Sequence, residues 1–133
     1  PGWRYQIIIY MERKNIDIAD AILDVLKDAE YHTITGTTLK VAKDFHLTKN
    51  EINEIYESRK DKGDGIATKK IYTQVQGMVT KLRKLKYIKN FPGTKGKGIF
   101  AITPKGLKLF ALPDESQIKK EINSELKKHI KNS

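Results

Sequence analysis

Residues 69–105 read KKIYTQVQGMVTKLRKLKYIKNFPGTKGKGIFAITPK and contain ten Lys or Arg but no Asp or Glu. Residues 1–68 carry ten basic and twelve acidic side chains, a net charge of −2, and residues 106–133 carry six and four, a net charge of +2. The chain as a whole has a net charge of +10, so the excess positive charge lies in this one block. Such a block beside a near-neutral remainder indicates a surface that binds a polyanion.

Helical periodicity marks the first half of this block. Apolar residues recur at helical spacing in a predicted helix from Lys69 to about Leu85, which Thr68 is expected to cap. Two short alternating segments follow, residues 87–91 and 98–102, on either side of a glycine-rich basic tip at residues 92–97. This pattern is typical of a β-hairpin. The predicted apolar stripe of the helix is Ile71, Val75, Met78, Val79, Leu82 and Leu85.

Three shorter helices are predicted before the block. The first runs from Ile16 to Glu30, with Asn15 or Asp17 as its cap. A short strand is expected at Thr33-Ile34-Thr35. Thr37 then caps a helix over Thr38 to Phe45, with Leu39 facing the core. The third helix, Lys49 to about Lys60, begins with a capping box formed by Thr48 and Glu51.

Two more helices are predicted after the block. Thr103-Pro104 begins a short one, since proline is favoured at the first helical position. Asp114 or Ser116 begins the last, which continues to about Ile130. Its apolar residues form a narrow stripe that must pack on the domain, on the N-terminal arm or on a second copy, and we expect that it forms a homodimer contact. The stripe consists of Ile118, Ile122, Leu126 and Ile130.

This order of elements predicts a mainly α protein with a small β-hairpin (α+β), a winged helix-turn-helix with an extra C-terminal helix. Residues 1–14 are expected to form an N-terminal arm or linker. Residues 15–112 form the winged helix-turn-helix domain, and residues 113–133 form the C-terminal amphipathic helix. In this architecture the helix before the hairpin enters the major groove of double-stranded DNA, and the wing lies along the backbone.

The candidate DNA-binding residues follow from that arrangement. Gln pairs bidentately with adenine, and Lys reaches O6 or N7 of guanine. The N-terminal half of the recognition helix offers Lys69, Lys70, Tyr72, Thr73, Gln74 and Gln76. Phosphate contacts are expected from Lys81, Arg83 and Lys84 on the helix and from Lys95 and Lys97 on the wing.

Residues 39–107, about half of the chain, also carry a family resemblance. The matching residues are Thr48 with Glu51, Leu82 and Leu85 with Ile88, and the stretch Ile102-Thr103-Pro104-Lys105-Gly106. In these features the chain resembles the winged-helix N-terminal domain of Mrr-type restriction endonucleases. The resemblance implies DNA binding, as the reading module of a restriction or defence protein, and it does not imply nuclease activity. The chain departs from the family at Gln74 and Gly77-Met78, so individual DNA contacts of the family are not carried over.

Other classes of function find little support in the sequence. The chain has no cysteine, which excludes disulfides and thiolate zinc sites, and we expect no metal, no cofactor and no enzymatic activity. The longest apolar run, Ile7 to Tyr10, is too short to span a bilayer, and a cytoplasmic or nucleoid-associated location is expected. Two DNA-binding roles stay open, a transcriptional regulator and the reader attached to an upstream catalytic domain. The alternative is a winged-helix protein–protein assembly module that does not read DNA.

Overall fold

The computed structural model describes residues 14–56, 58, 61–63, 65–93 and 98–131, and for residues 129–131 it describes the backbone alone. Within these residues lie six α-helices and three strands. In chain order they are α1 (Asn15–Leu26), β1 (His32–Thr33), α2 (Ile34–Asp44), α3 (Lys49–Ile52), α4 (Lys70–Lys84), β2 (Ile88–Asn90), β3 (Ile99–Ile102), α5 (Pro104–Leu107) and α6 (Glu115–Lys131). Short 3-10 helices precede α4 at Ile66–Thr68 and follow α5 at Lys108–Ala111. The chain is therefore mainly helical with a small antiparallel sheet, which confirms the predicted α+β, winged-helix-like fold.

The sheet has the strand order β1-β3-β2, and both pairings are antiparallel. β2 and β3 form the predicted hairpin, with Ile88 opposite Ile102. β1 adds a third strand that pairs His32 with Phe100. The strand expected at residues 33–35 thus lies one residue earlier, and it attaches the tip-side half of β3 to the region between α1 and α2.

The core lies between α1, α2 and α4, with α6 packed on α1 and the sheet closing one end. The predicted stripe of α4 is buried along its whole length, from Ile71 at 0% exposure to Leu85 at 6%. Each of the core aliphatic side chains contributes about 1.5–3 kcal/mol when fully buried. The burial of this stripe fixes which face of α4 is turned outward.

The first two helices begin and end differently from the prediction. α1 follows Lys14 without a side-chain cap, so neither Asn15 nor Asp17 caps it, and it ends at Leu26. The chain then turns through Ala29, whose φ is +65°, before entering β1. α2 begins at Ile34, because Thr33, and not Thr37, accepts a hydrogen bond from Gly36 N at 3.0 Å.

The earlier start of α2 brings Thr37 inside the helix, and helical spacing from the buried Val41 turns Leu39 outward. The amide of Ile34 donates to the carbonyl of Gly98 at 2.7 Å, so the tip-side end of the hairpin fixes where α2 begins. In the resulting orientation Thr37 is buried within the helix. Leu39, which the sequence pattern places in the core, is instead 50% exposed.

The capping box of α3 is confirmed, but its predicted length is wrong. Thr48 Oγ1 accepts from Glu51 N at 3.2 Å, and Thr48 N donates to Glu51 Oε1 at 2.9 Å. The helix nevertheless ends at Ile52, since the chain becomes extended and Ile55 forms an isolated antiparallel bridge with Lys69. A tertiary backbone pairing ends this helix, not a local breaker.

The beginning of α4 also differs from the prediction. Thr68 Oγ1 donates to the carbonyl of Gly65 at 2.6 Å and does not cap the helix. The helix begins at Lys70, whose amide donates to the carbonyl of Glu54 at 2.8 Å. The segment after α3 therefore takes the place of a side-chain cap.

The predicted start of α5 is confirmed, with Thr103 as the cap and Pro104 in the first turn. Thr103 Oγ1 accepts from Gly106 N at 3.1 Å and donates to the carbonyl of Lys86 at 2.6 Å. Gly106 allows this close packing, because a Cβ atom there would lie 2.7 Å from the carbonyl oxygen of Tyr87. The Ile-Thr-x-x-Gly sequence is thus the joint between the hairpin and α5.

The C-terminal helix α6 begins as predicted, with Asp114 Oδ1 accepting from Gln117 N at 2.9 Å. Its apolar stripe is not a free surface. Ile118, Ile122 and Leu126 are at most 8% exposed and belong to the core cluster of the same chain. Because α1 already covers them, the expectation that they form a dimer contact is corrected. The side chain of Ile130 lies outside the described residues.

Candidate nucleic-acid interface

The outward face of α4 lies opposite its buried stripe. Residues 73, 77, 80 and 84 recur at intervals of three to four and so share this face. Gln76, Gly77, Thr80 and Lys84 are exposed, and nothing lies within 4 Å of a Cβ atom placed on Gly77. This face is polar and lacks carboxylates, and its centre is a glycine whose backbone another molecule can approach closely.

Two predicted contacts at the start of α4 are directed into the protein. The Lys70 ammonium lies 2.9 Å from Glu54 Oε1 and 5.1 Å from the centre of the Tyr56 ring. Lys69 is only 7% exposed, because it lies in the backbone bridge with Ile55. These two lysines pack against the segment after α3, and their role as DNA contacts stays a prediction.

The exposed cations lie toward the other end of the helix. Lys84 is exposed, and Lys81 and Arg83 are half-buried on opposite flanks of α4. Lys86 and Lys89 continue the exposed basic surface into the turn and β2. Lys89 is not among the predicted contacts, although its alternation with the buried Ile88 would have placed it outward.

Lys105 stabilises the C-terminal end of α4. Its ammonium donates to the carbonyl of Leu85 at 2.7 Å and lies 4.8 Å from the centre of the Tyr87 ring. A cation at this end satisfies a terminal carbonyl and interacts favourably with the helix dipole. Lys105 therefore supports the helix on which the exposed cations lie.

A groove of about 290 Å³ separates α4 from the tip-side end of β3. One side is a single row of α4 side chains, Tyr72, Gln76, Thr80 and Arg83, at intervals of four, four and three residues. The other side is formed by Ile34, Gly98 and Phe100, and Val79 lies between the two sides. No carboxylate lines this groove among the described residues.

The remaining predicted DNA contacts lie on different sides of α4 or outside the described residues. Tyr72 and Gln76 lie on the groove side of α4, and the half-buried Gln74 lies on the opposite flank. Thr73 is half-buried, and its hydroxyl donates to the carbonyl of Lys69 at 3.3 Å. Lys95 and Lys97 lie outside the described residues. Among the predicted glutamines, Gln76 is therefore the one exposed on the outward face.

Carboxylates concentrate in a different part of the fold. A cleft of about 630 Å³ lies where α1, the end of α2 and the start of α6 meet. Helical spacing turns the α1 carboxylates away from the face that packs on α4. The acidic residues lining this cleft are Asp17, Asp20, Asp24, Asp44, Asp114 and Glu115. The six carboxylates of this cleft thus lie away from the outward face of α4.

The close packing of these carboxyl groups shifts the pKa values of Asp20 and Glu115. Burial raises the pKa of Asp20 to about 6, and a hydrogen bond to Glu115 and the charge of that residue add to the rise. The pKa of Glu115 is lowered, because Asp20 and Lys119 both donate to it. Lys119 also lies 3.1 Å from Asp17 Oδ1. When this carboxyl pair binds one proton, the raised pKa of Asp20 and the lowered pKa of Glu115 place it on Asp20.

Within the ranges given above, no three His, Cys, Asp or Glu side chains are grouped so as to hold a metal ion. No helix among the same residues combines the length and apolar character needed to cross a lipid bilayer. No family model, no curated protein and no solved structure matches this chain.

Proposed function

We propose that this chain is a double-stranded DNA-binding winged-helix protein that inserts α4 into the major groove. The observation that carries the proposal is the outward face of α4. It is polar and free of carboxylates, and the exposed cations Lys84, Lys86 and Lys89 lie on it and in the turn and strand that follow it. The position of the acidic cleft supports the same conclusion, because its carboxylates do not oppose a polyanion on this face.

Base reading is assigned to the centre of the outward face. The exposed amide of Gln76 has the donor and acceptor needed to pair with N7 and N6 of adenine. Gly77 removes side-chain bulk next to it, and the Thr80 hydroxyl lies one turn further on. Thr80 Oγ1 donates to the carbonyl of Gln76 at 3.1 Å, which leaves its lone pairs free to accept. Of the two glutamines that the sequence suggested for this role, Gln74 and Gln76, the exposed one is Gln76.

Backbone binding is assigned to the exposed lysines beyond this centre. Lys84, Lys86 and Lys89 are long cationic side chains on the outward face, the following turn and β2. Cations of this kind hold a duplex through its phosphates without reading sequence. In this proposal they supply affinity and Gln76 supplies preference.

The biological role follows from the resemblance to the reading domain of Mrr-type endonucleases. We infer a DNA-reading module of a restriction or defence system or a free-standing transcriptional regulator. Both roles use the same α4 surface, and a homodimer would place two recognition helices roughly 34–36 Å apart. The buried α6 stripe leaves such a dimer to another surface.

The test is fluorescence anisotropy of a short random duplex titrated with salt. About five phosphate contacts give a slope of log affinity against log salt near −5. Lys84→Ala with Lys89→Ala should weaken binding to all sequences alike, and Lys120→Ala with Lys127→Ala, on exposed α6 positions, should leave it unchanged. Gln76→Ala should change the preferred sequence more than the overall affinity. Absence of binding at low salt would overturn the proposal in favour of an assembly module.

A further inference from the structure

Arg83 has an unusual environment in the groove between α4 and the tip-side end of β3. Its Nε atom is fully buried, and no hydrogen-bond partner for it exists among the described residues. The rest of the side chain is half-buried in the row formed with Tyr72, Gln76 and Thr80. A buried guanidinium donor without an acceptor is costly, so an acceptor that enters the groove would be stabilised.

The chemistry of the groove selects an anion. Its side chains include the hydroxyls of Tyr72 and Thr80 and the amide of Gln76, and none of its described lining residues is acidic. Its volume of about 290 Å³ compares with about 30 Å³ for a water molecule in the liquid, so a phosphate group fits together with bridging water. Arginine is suited to such a ligand, since its planar fork donates two parallel hydrogen bonds to two phosphate oxygens.

The geometry points to a binding site for a single DNA phosphate in this groove. Because Nε is buried in the free chain, the guanidinium turns toward the groove on binding, so that Nε–H and one terminal N–H donate to the phosphate. The inference rests on the proposed function and adds to it a specific contact. The groove lies beside the outward face of α4, where a strand that leaves the major groove passes toward the hairpin. Arg83 thereby fixes the register of α4 on the duplex, whereas the exposed lysines bind phosphates without fixed geometry.

Substitutions separate this contact from general electrostatics. Arg83→Lys keeps the charge and removes the fork, and Arg83→Gln removes both. Lys81→Gln is the matched control, since it removes one positive charge from the opposite flank of the same helix. A lost charge-assisted hydrogen bond corresponds to roughly a 10- to 100-fold loss of affinity. We expect Arg83→Gln to reach this range, Arg83→Lys to lose about tenfold, and Lys81→Gln to lose less than about threefold.

The deciding measurement is the NMR signal of the Arg83 side-chain Nε–H, recorded together with the backbone amides of Gln76 and Gly77. Addition of duplex should shift all three signals in the wild-type chain. One phosphate of the duplex is then replaced by a neutral methylphosphonate, at each strand position in turn. At one position this replacement should abolish the shift of the Arg83 signal, while the Gln76 and Gly77 signals still shift. That same modification should weaken wild-type binding and have no further effect on Arg83→Gln.

Each contrary outcome is distinct. Shifts at Gln76 and Gly77 without one at Arg83, or equal losses in Arg83→Gln and Lys81→Gln, would overturn the groove site and leave DNA binding intact. If inorganic phosphate shifts the Arg83 signal and the duplex does not, the groove binds free phosphate and the DNA assignment is wrong. If the duplex shifts none of the signals at low salt, the proposed function fails as well. Thermal unfolding of each variant checks that the fold is retained.

Discussion

The ammonium group of Lys70 lies 2.9 Å from a carboxylate oxygen of Glu54, sixteen residues earlier in the chain. The backbone amide of Lys70 also donates to the carbonyl of Glu54 at 2.8 Å. Two contacts between the same pair hold the first turn of α4 on the segment that follows α3. A lysine that appears from the sequence to be a DNA contact therefore has a structural role.

Lys70 and Lys84 should consequently respond in opposite ways to substitution. Lys70→Ala should lower the free energy of unfolding by about 1 kcal/mol, since it removes a half-buried pair and a cation–π contact, and should change DNA affinity less than about twofold. Lys84→Ala should leave stability unchanged and weaken DNA binding about 3- to 10-fold. Urea denaturation and anisotropy measure the two effects. A larger affinity loss for Lys70→Ala than for Lys84→Ala would contradict the proposed orientation of α4.

Gly77 provides a test in which stability and binding change in opposite directions. Its Cβ position is open, so Gly77→Ala should stabilise the exposed helix by about 0.5–1 kcal/mol. If DNA approaches the backbone here, the added methyl group should weaken binding despite the more stable fold. Gly65→Ala, also in open space but outside α4, is the control. Unchanged affinity in Gly77→Ala would show that the duplex does not meet this face closely.

Gly106 should tolerate no side chain. A Cβ atom would lie 2.6 Å from Ile102 Cγ1 and 2.7 Å from the carbonyl oxygen of Tyr87, and the carbonyl belongs to the backbone and cannot rotate away. Gly106→Ala should therefore destabilise the chain by about 1–3 kcal/mol. The shift in the urea midpoint measures this loss. A midpoint equal to that of the wild type would mean that α5 is not packed against the hairpin as described.

The carboxyl pair of Asp20 and Glu115 makes stability depend on pH. The folded-state pKa of Asp20, about 6, exceeds its ordinary value of 3.8, so the folded chain binds this proton more tightly than the unfolded chain. The contribution of Asp20 is most favourable below about pH 4, declines as pH rises to about 6, and is constant above that value.

Asp20→Asn should remove this pH dependence. At pH 7 the variant should be more stable than the wild type by about 1–2 kcal/mol, allowing for solvent screening at a partly exposed site. Near pH 4 the difference should disappear. Glu30→Gln removes the same charge from an exposed position outside the acidic cleft and serves as the control. Chemical denaturation from pH 4 to pH 7 would contradict the assignment if both variants gave parallel curves.

Ile122 should be required for folding of the single chain. It is 0% exposed between α6 and α1, so Ile122→Ala should cost about 2–5 kcal/mol. The neighbouring exposed Lys120→Ala should cost little. Light scattering with circular dichroism distinguishes the two roles of the stripe. The opposite result would be a dimeric wild type and an Ile122→Ala variant that is monomeric but fully stable. That result would show that the stripe forms a dimer contact.

The amino-acid sequence by itself determined the elements whose signals are local. The stripe of α4, the hairpin, the capping box at Thr48 and the start of α5 at Thr103 all depend on neighbours within a few residues. The basic block at residues 69–105 is likewise visible from a count of charges along the chain. Periodicity, capping and charge depend on residues that are close together in the sequence, so these features can be predicted without knowledge of distant contacts.

The tertiary structure decided the features that join distant residues. The pairing of His32 with Phe100, the bridge between Ile55 and Lys69 and the packing of α6 on α1 set where α2 and α3 begin or end and which stripe stays free. The same contacts turned Lys69 and Lys70 inward and left Gln76 and Lys84 exposed. Their energies depend on which surfaces meet after the chain has folded. A local pattern shows that an apolar stripe must be covered or that a cation needs a partner. Which residues cover the stripe or pair with the cation is decided only when the chain has folded.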